Sequence, residues 1–146
     1  MTNKELVGIL LEDVQNEYNH MMFYLRASVE VQGLHRAEIR EFLLKEAQEE
    51  LLHVEEFSRM IKYLGGSPDI TALFNYSAGQ NPKHILEEVV RMELFVAHNY
   101  AARLQMTEEM TSAEVATIHV FYEDQIKNSQ YTAWEVQQML REYTAS

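Results

Sequence analysis

Very few residues in this chain can stop a helix, and that scarcity limits the fold more than any other feature. Five glycines and two prolines are spread over 146 residues, and the breaking signals gather at three places. Thr2 followed by Glu5 makes a capping box that opens a first helix, expected to run to about Gln32 ahead of Gly33. A second helix is expected from about Arg36 to Leu64, where Gly65-Gly66-Ser67-Pro68 ends it. Asn81 is a good cap with Pro82 at the first helical position, so a third helix runs from there to about Glu109. Thr111 with Glu114 repeats the capping box and opens a fourth, reaching about Tyr143.

Each of these helices spans roughly 28 to 32 residues, or about 42 to 48 Å at 1.5 Å per residue. Such lengths belong to bundles. Short links join the first helix to the second and the third to the fourth, which predicts two antiparallel hairpins. Residues 65 to 81 can stretch about 56 Å at ~3.3 Å each, enough to cross the length of a bundle. The expected fold class is therefore all-α, a four-helix bundle of two antiparallel hairpins with a long crossover between the second and third helices, as one domain over residues 1–146.

Composition narrows the chemistry. The chain has no cysteine, so a metal would bind through oxygen and imidazole. Its formal charge of −11 repels phosphate backbones and attracts cations. The opening MTNKELVGILLEDVQ lacks the basic region and uninterrupted apolar core of a signal peptide. No apolar run approaches the roughly 18 residues of a membrane span. Small cations are the expected partners, with no nucleic acid and no membrane, and the cytoplasm is the expected location.

The informative residues are polar ones in register with the apolar stripes. On the first helix Leu6, Leu10, Val14, Glu17, Met21, Tyr24, Ser28 and Val31 share a face. On the second the face is Ile39, Leu43, Glu46, Glu50, His53, Phe57, Met60 and Leu64. The third gives Leu86, Val89, Glu93, Ala97, Tyr100 and Leu104, and the fourth Ile118, Tyr122, Gln125, Asn128 or Ser129, Thr132, Val136 and Met139.

Height along the helices is a second test. Glu17 lies about 15 residues before the end of its helix, and Glu50 and His53 lie about 14 and 17 into the next. Glu93 and Gln125 agree similarly across the second hairpin. These core-facing stripes contain no Lys or Arg to pair with the carboxylates, and a buried unpaired carboxylate is costly. Metal ions resolve the conflict. Glu50-Leu-Leu-His53 is a Glu-x-x-His spacing that puts both side chains on one face, a donor set suited to iron or manganese.

Together the Glu17 and Tyr24 pair, the segment Ala47-Gln-Glu-Glu-Leu-Leu-His53 and Glu93 resemble the ferritin superfamily over about residues 3 to 143. The resemblance implies a ferritin-like bundle with a di-iron centre cycling between Fe2+ and Fe3+. By resemblance, Glu17 and His53 bind the first iron, Glu50 bridges, and Glu93 serves the second, with Gln125 in the place of the ferritin glutamine of the fourth helix. Tyr24 matches a tyrosine that donates an electron or a hydrogen bond beside the centre. Gln125-Ile-Lys-Asn128 stands where bacterioferritins carry a second Glu-x-x-His, which implies a looser second ion. Glu49 and Asp124 resemble parts of an accessory iron position, but Lys127 and Asn128 do not complete a third site. Leu51 occupies the position of the haem-binding methionine of bacterioferritins, so no haem is expected through it.

The implied activity is that of a ferroxidase and iron-storage or detoxification subunit. It would oxidise Fe2+ with O2 or H2O2 in a hollow homo-oligomeric cage of roughly twelve or twenty-four copies. The same ligands would serve a non-storage di-iron or di-manganese oxidoreductase of peroxidase type, and a bundle with a degenerate site is a third reading. Glu46, one turn from Glu50, reads as a supporting group rather than a ligand. His20, three residues after Glu17, reads as a supporting or interface group. His35, His84, His98 and His119 read as solvent or packing residues, and the methionines as core.

Overall fold

The structure is a computed structural model and describes residues 1–71 and 76–144. It contains four helices in order: α1 (Asn3–Glu30), α2 (Arg36–Tyr63), α3 (Pro82–Met106) and α4 (Ala113–Thr144). The chain divides into two compact units, Met1–Pro82 and Lys83–Ser146.

In the first unit α1 opens on the expected capping box. The Thr2 hydroxyl accepts from the Glu5 amide at 3.2 Å, and the Glu5 carboxylate accepts from the Thr2 amide at 2.9 Å. The helix ends two residues before the expected Gln32. Val31 leaves helical geometry, and the Gln32 amide donates instead to the Gln80 carbonyl at 3.0 Å. A turn at Gly33, whose φ of 114° suits glycine, then leads into α2. The two helices pack along their length, burying Leu6, Leu10, Val14, Tyr24 and Ala27 of α1 and Ile39, Leu43, Val54, Phe57 and Ile61 of α2. Each Leu, Ile, Val or Phe side chain of this set withdrawn from water contributes about 1.5–3 kcal/mol.

The crossover follows α1 from one end to the other. Gly66 lies against Val7, and the Thr71 amide donates to Gln15 Oε1 at 3.1 Å. Tyr76 stacks beside Phe23, and the Ser77 hydroxyl donates to Glu30 at 2.7 Å. Gln80 reaches the Gln32 amide. The partner on α1 advances with each step along the crossover, so this segment spans the helix as expected; residues 72–75 of it lie outside the described residues.

Helix α3, which lies in the second unit from Lys83 onward, begins at Pro82 as expected but stops at Met106, short of the expected Glu109. Thr107 ends it. Its hydroxyl donates to the Arg103 carbonyl at 2.9 Å and lies 2.8 Å from His119 Nε2 on α4. Tyr100 and Tyr122 meet edge to face at 5.0 Å. Position increases on α3 as it decreases on α4 across these two contacts, so the pair is antiparallel. The start of α4 corrects the expected Thr111 cap: the helix begins at Ala113, and the Ser112 hydroxyl accepts from the Val115 amide at 3.4 Å. Val115, Ile118, Tyr122, Gln125, Ser129, Ala133 and Val136 are buried at regular three-and-four spacing. Asn128 is exposed, so Ser129 takes the stripe position.

Candidate metal centre

Glu50 and His53 stand three residues apart on α2, which places their side chains together on one helical face. Nδ1 of His53 lies 3.4 Å from Glu50 Oε2 and 3.5 Å from Glu17 Oε2, the latter reaching across from α1. One donor atom from each of the three residues lies within 4.8 Å of the others. Glu17 is 1% exposed and Glu50 5%, whereas the His53 side chain is 18% exposed. The carboxylates form the floor, and the imidazole forms the edge nearest solvent.

The electrostatics follow from this crowding. Burial pushes the Glu17 carboxyl up, but hydrogen bonding with Glu50 and His53 and the fields of His53 and His20 outweigh it and hold it at about 2. A divalent cation held between the two carboxylates and the imidazole can neutralise the buried negative charge. The donor set, two carboxylates and one imidazole nitrogen facing both, fits iron or manganese.

Among the expected ligands, Glu17, Glu50 and His53 are thus brought together. Glu93 and Gln125 belong to the second unit, on α3 and α4, where both are buried at 4% and 5% exposure. Tyr24 is fully buried on α1. Glu46 is half-buried one turn before Glu50. Burial and the adjacent Glu49 push its carboxyl up against the opposing fields of His53 and Lys45. Glu49 and Asp124 are exposed, as are His84 and His98. His119 is engaged with Thr107 rather than only solvated, and His35 approaches Glu38 at 4.0 Å. One buried carboxylate was not anticipated: Asp13, one turn before Glu17, is fully buried. It sits beside Val14, the residue that the stripe pattern selects.

The ferritin-like domain family model matches residues 7–145. The chain belongs to this ferritin-like family. It is similar to a ferritin-like, diiron-carboxylate protein of known crystal structure from Bacillus anthracis str. Ames, with 25% identity and a TM-score of 0.85 over 96% of this chain and 99% of that one. It is also similar to a dodecameric thioferritin, the bacterioferritin-related protein of Bacteroides fragilis, with 16% identity and a TM-score of 0.80 over 99% of this chain and 89% of that one. No curated protein sequence matches. The fold is therefore the all-α, ferritin-like four-helix bundle. No helix among the described residues is long and apolar enough to cross a membrane.

Proposed function

We propose that this chain is a ferroxidase and iron-storage subunit, in which ferrous iron is the substrate and O2 or H2O2 the oxidant. The convergence of Glu17, Glu50 and His53 within 4.8 Å carries this reading. Glu17 and His53 hold the first ion, the ring through Nδ1, which faces both carboxylates. Glu50 shares that ion, and Glu93 and Gln125, buried on α3 and α4, would serve a second one. The buried carboxylates exclude water and supply fixed negative charge that favours the rise in cationic charge on oxidation. Tyr24 stands by to donate an electron.

A hollow homo-oligomer is part of the same proposal. The Bacteroides fragilis neighbour is a dodecamer, and this chain exposes Met22, Leu25 and Val29 on α1 and Leu51 and Leu52 on α2. Apolar residues at such density suit burial against other copies. The test is to load the protein with Fe2+ without oxygen, add air or peroxide, and follow Fe3+ formation. Glu50→Ala is expected to slow oxidation about tenfold or more, equivalent to about 1.4 kcal/mol of lost barrier stabilisation. Equal rates in the variant and the wild type would reject the mechanism.

A further inference from the structure

The Glu50-Leu-Leu-His53 spacing on α2 has a counterpart on α1, where Glu17-Tyr-Asn-His20 stands 33 residues earlier. An acid precedes each glutamate by one turn, so Asp13, Glu17 and His20 repeat as Glu46, Glu50 and His53. Between two antiparallel helices joined by a short link, such a repeat has two-fold symmetry: the same angular offset leans toward the partner helix from either side. His53 leans across to Glu17 of α1, at 3.5 Å, so the equivalent offset from Glu17 leans His20 toward α2. His20 lies three residues nearer the link than Glu17, and His53 three residues farther from it than Glu50. The two imidazoles therefore flank the carboxylate pair, each displaced about 4.5 Å along the axis in opposite directions. His20 is half-buried like His53, and its field helps to hold the Glu17 carboxyl down.

We infer that His20 is a further metal ligand, which with Glu17 and Glu50 forms an additional cation position, the two-fold counterpart of the one made with His53. The inference rests on the metal-binding reading of the Glu17, Glu50 and His53 group. Two divalent ions then share one pair of carboxylates inside the first hairpin, each capped by its own imidazole from the opposite end. A separation of roughly 3.5–4 Å is usual for ions sharing ligands in this way. Among the described residues, the donors already gathered within 4.8 Å are those of Glu17, Glu50 and His53, so His20 enters when a cation draws its ring toward the carboxylates. Charge supports the pairing. Two divalent ions against Glu17 and Glu50 alone leave an excess of positive charge in a buried place, which is costly. Asp13, fully buried, and Glu46, half-buried, stand one turn before the two ligands and supply the missing negative charge. The added imidazole favours a transition metal such as iron, manganese or cobalt over calcium or magnesium. This position draws on no residue of α3 or α4.

The test counts Co2+, which air does not oxidise, bound by the full chain carrying Glu93→Ala and Gln125→Ala, so that ions held by those two residues are not counted. In this background His20→Gln and His53→Gln should each lose one ion per chain, and the two together should lose two. Glutamine keeps the polarity of the half-buried His20, and circular dichroism of the metal-free variants checks that the helices persist. Anomalous diffraction from Co2+-soaked crystals of the unsubstituted protein gives a second reading that needs no variant to fold: a cobalt peak should lie within bonding distance of a His20 ring nitrogen. An unchanged count in His20→Gln, or a cobalt map with His20 uncoordinated, would overturn the proposal. If His53→Gln still loses one ion in that case, the metal-binding reading of Glu17, Glu50 and His53 stands. Loss of no ion in either variant would overturn both.

Discussion

Glu17 and His53, on different helices, approach to 3.5 Å in the interior of the first hairpin. This contact gives the buried Glu17 carboxylate a partner that can carry positive charge, and it makes the hairpin's stability depend on protonation.

Glu17 is depressed from its ordinary 4.5 to about 2. A carboxyl depressed on folding contributes stability that is fully present above its unfolded pKa and is lost as pH falls through the folded value. With metal removed by chelation, the Glu17 contribution should therefore decline between about pH 4.5 and 2. Urea midpoints measured across that range should fall more steeply for the wild type than for Glu17→Gln. Parallel curves would show that Glu17 is not the group responsible.

Gly66 has almost no room for a side chain. A Cβ there would lie 2.6 Å from Val7 Cγ1, 3.1 Å from Ile61 Cγ2 and 3.3 Å from the Ile61 carbonyl oxygen. Gly66→Ala should destabilise the protein by about 1–3 kcal/mol through overpacking. Adding Val7→Ala should recover part of the loss, because Val7 supplies the nearest atom while the Ile61 backbone cannot yield. Equilibrium denaturation of the two single variants and the double variant checks this; strictly additive losses would contradict the crossover's placement on α1.

The two candidate caps of α4 can be separated by substitution. Ser112→Ala removes the side-chain oxygen that accepts from the Val115 amide and should cost about 0.5–2 kcal/mol. Thr111→Ala should cost a few tenths at most. Thermal unfolding of both variants decides between them, and the reverse order would restore Thr111 as the cap.

Much of the first unit was legible because its signals are periodic. Glu50 and His53 share a face through helical spacing alone, and Glu17 joins them because a short link fixes the height of two antiparallel helices. Asp13 was missed because the buried face of α1 is wider than a single stripe, so its neighbour Val14 claimed the position. The ends of α1 and α3 ran shorter than expected for tertiary reasons: Gln32 bonds the crossover, and Thr107 turns its hydroxyl onto the Arg103 carbonyl. The Phe23 and Tyr76 contact had no sequence signal at all, since the crossover has no repeat and its path depends on what α1 presents to it.

The most direct test of the central claim is anomalous diffraction from crystals soaked in Fe2+ without oxygen. The account predicts an iron peak within bonding distance, about 2.0–2.2 Å, of a Glu17 oxygen, a Glu50 oxygen and His53 Nδ1. Iron bound elsewhere with these three side chains uncoordinated, or no iron at this position, would contradict it.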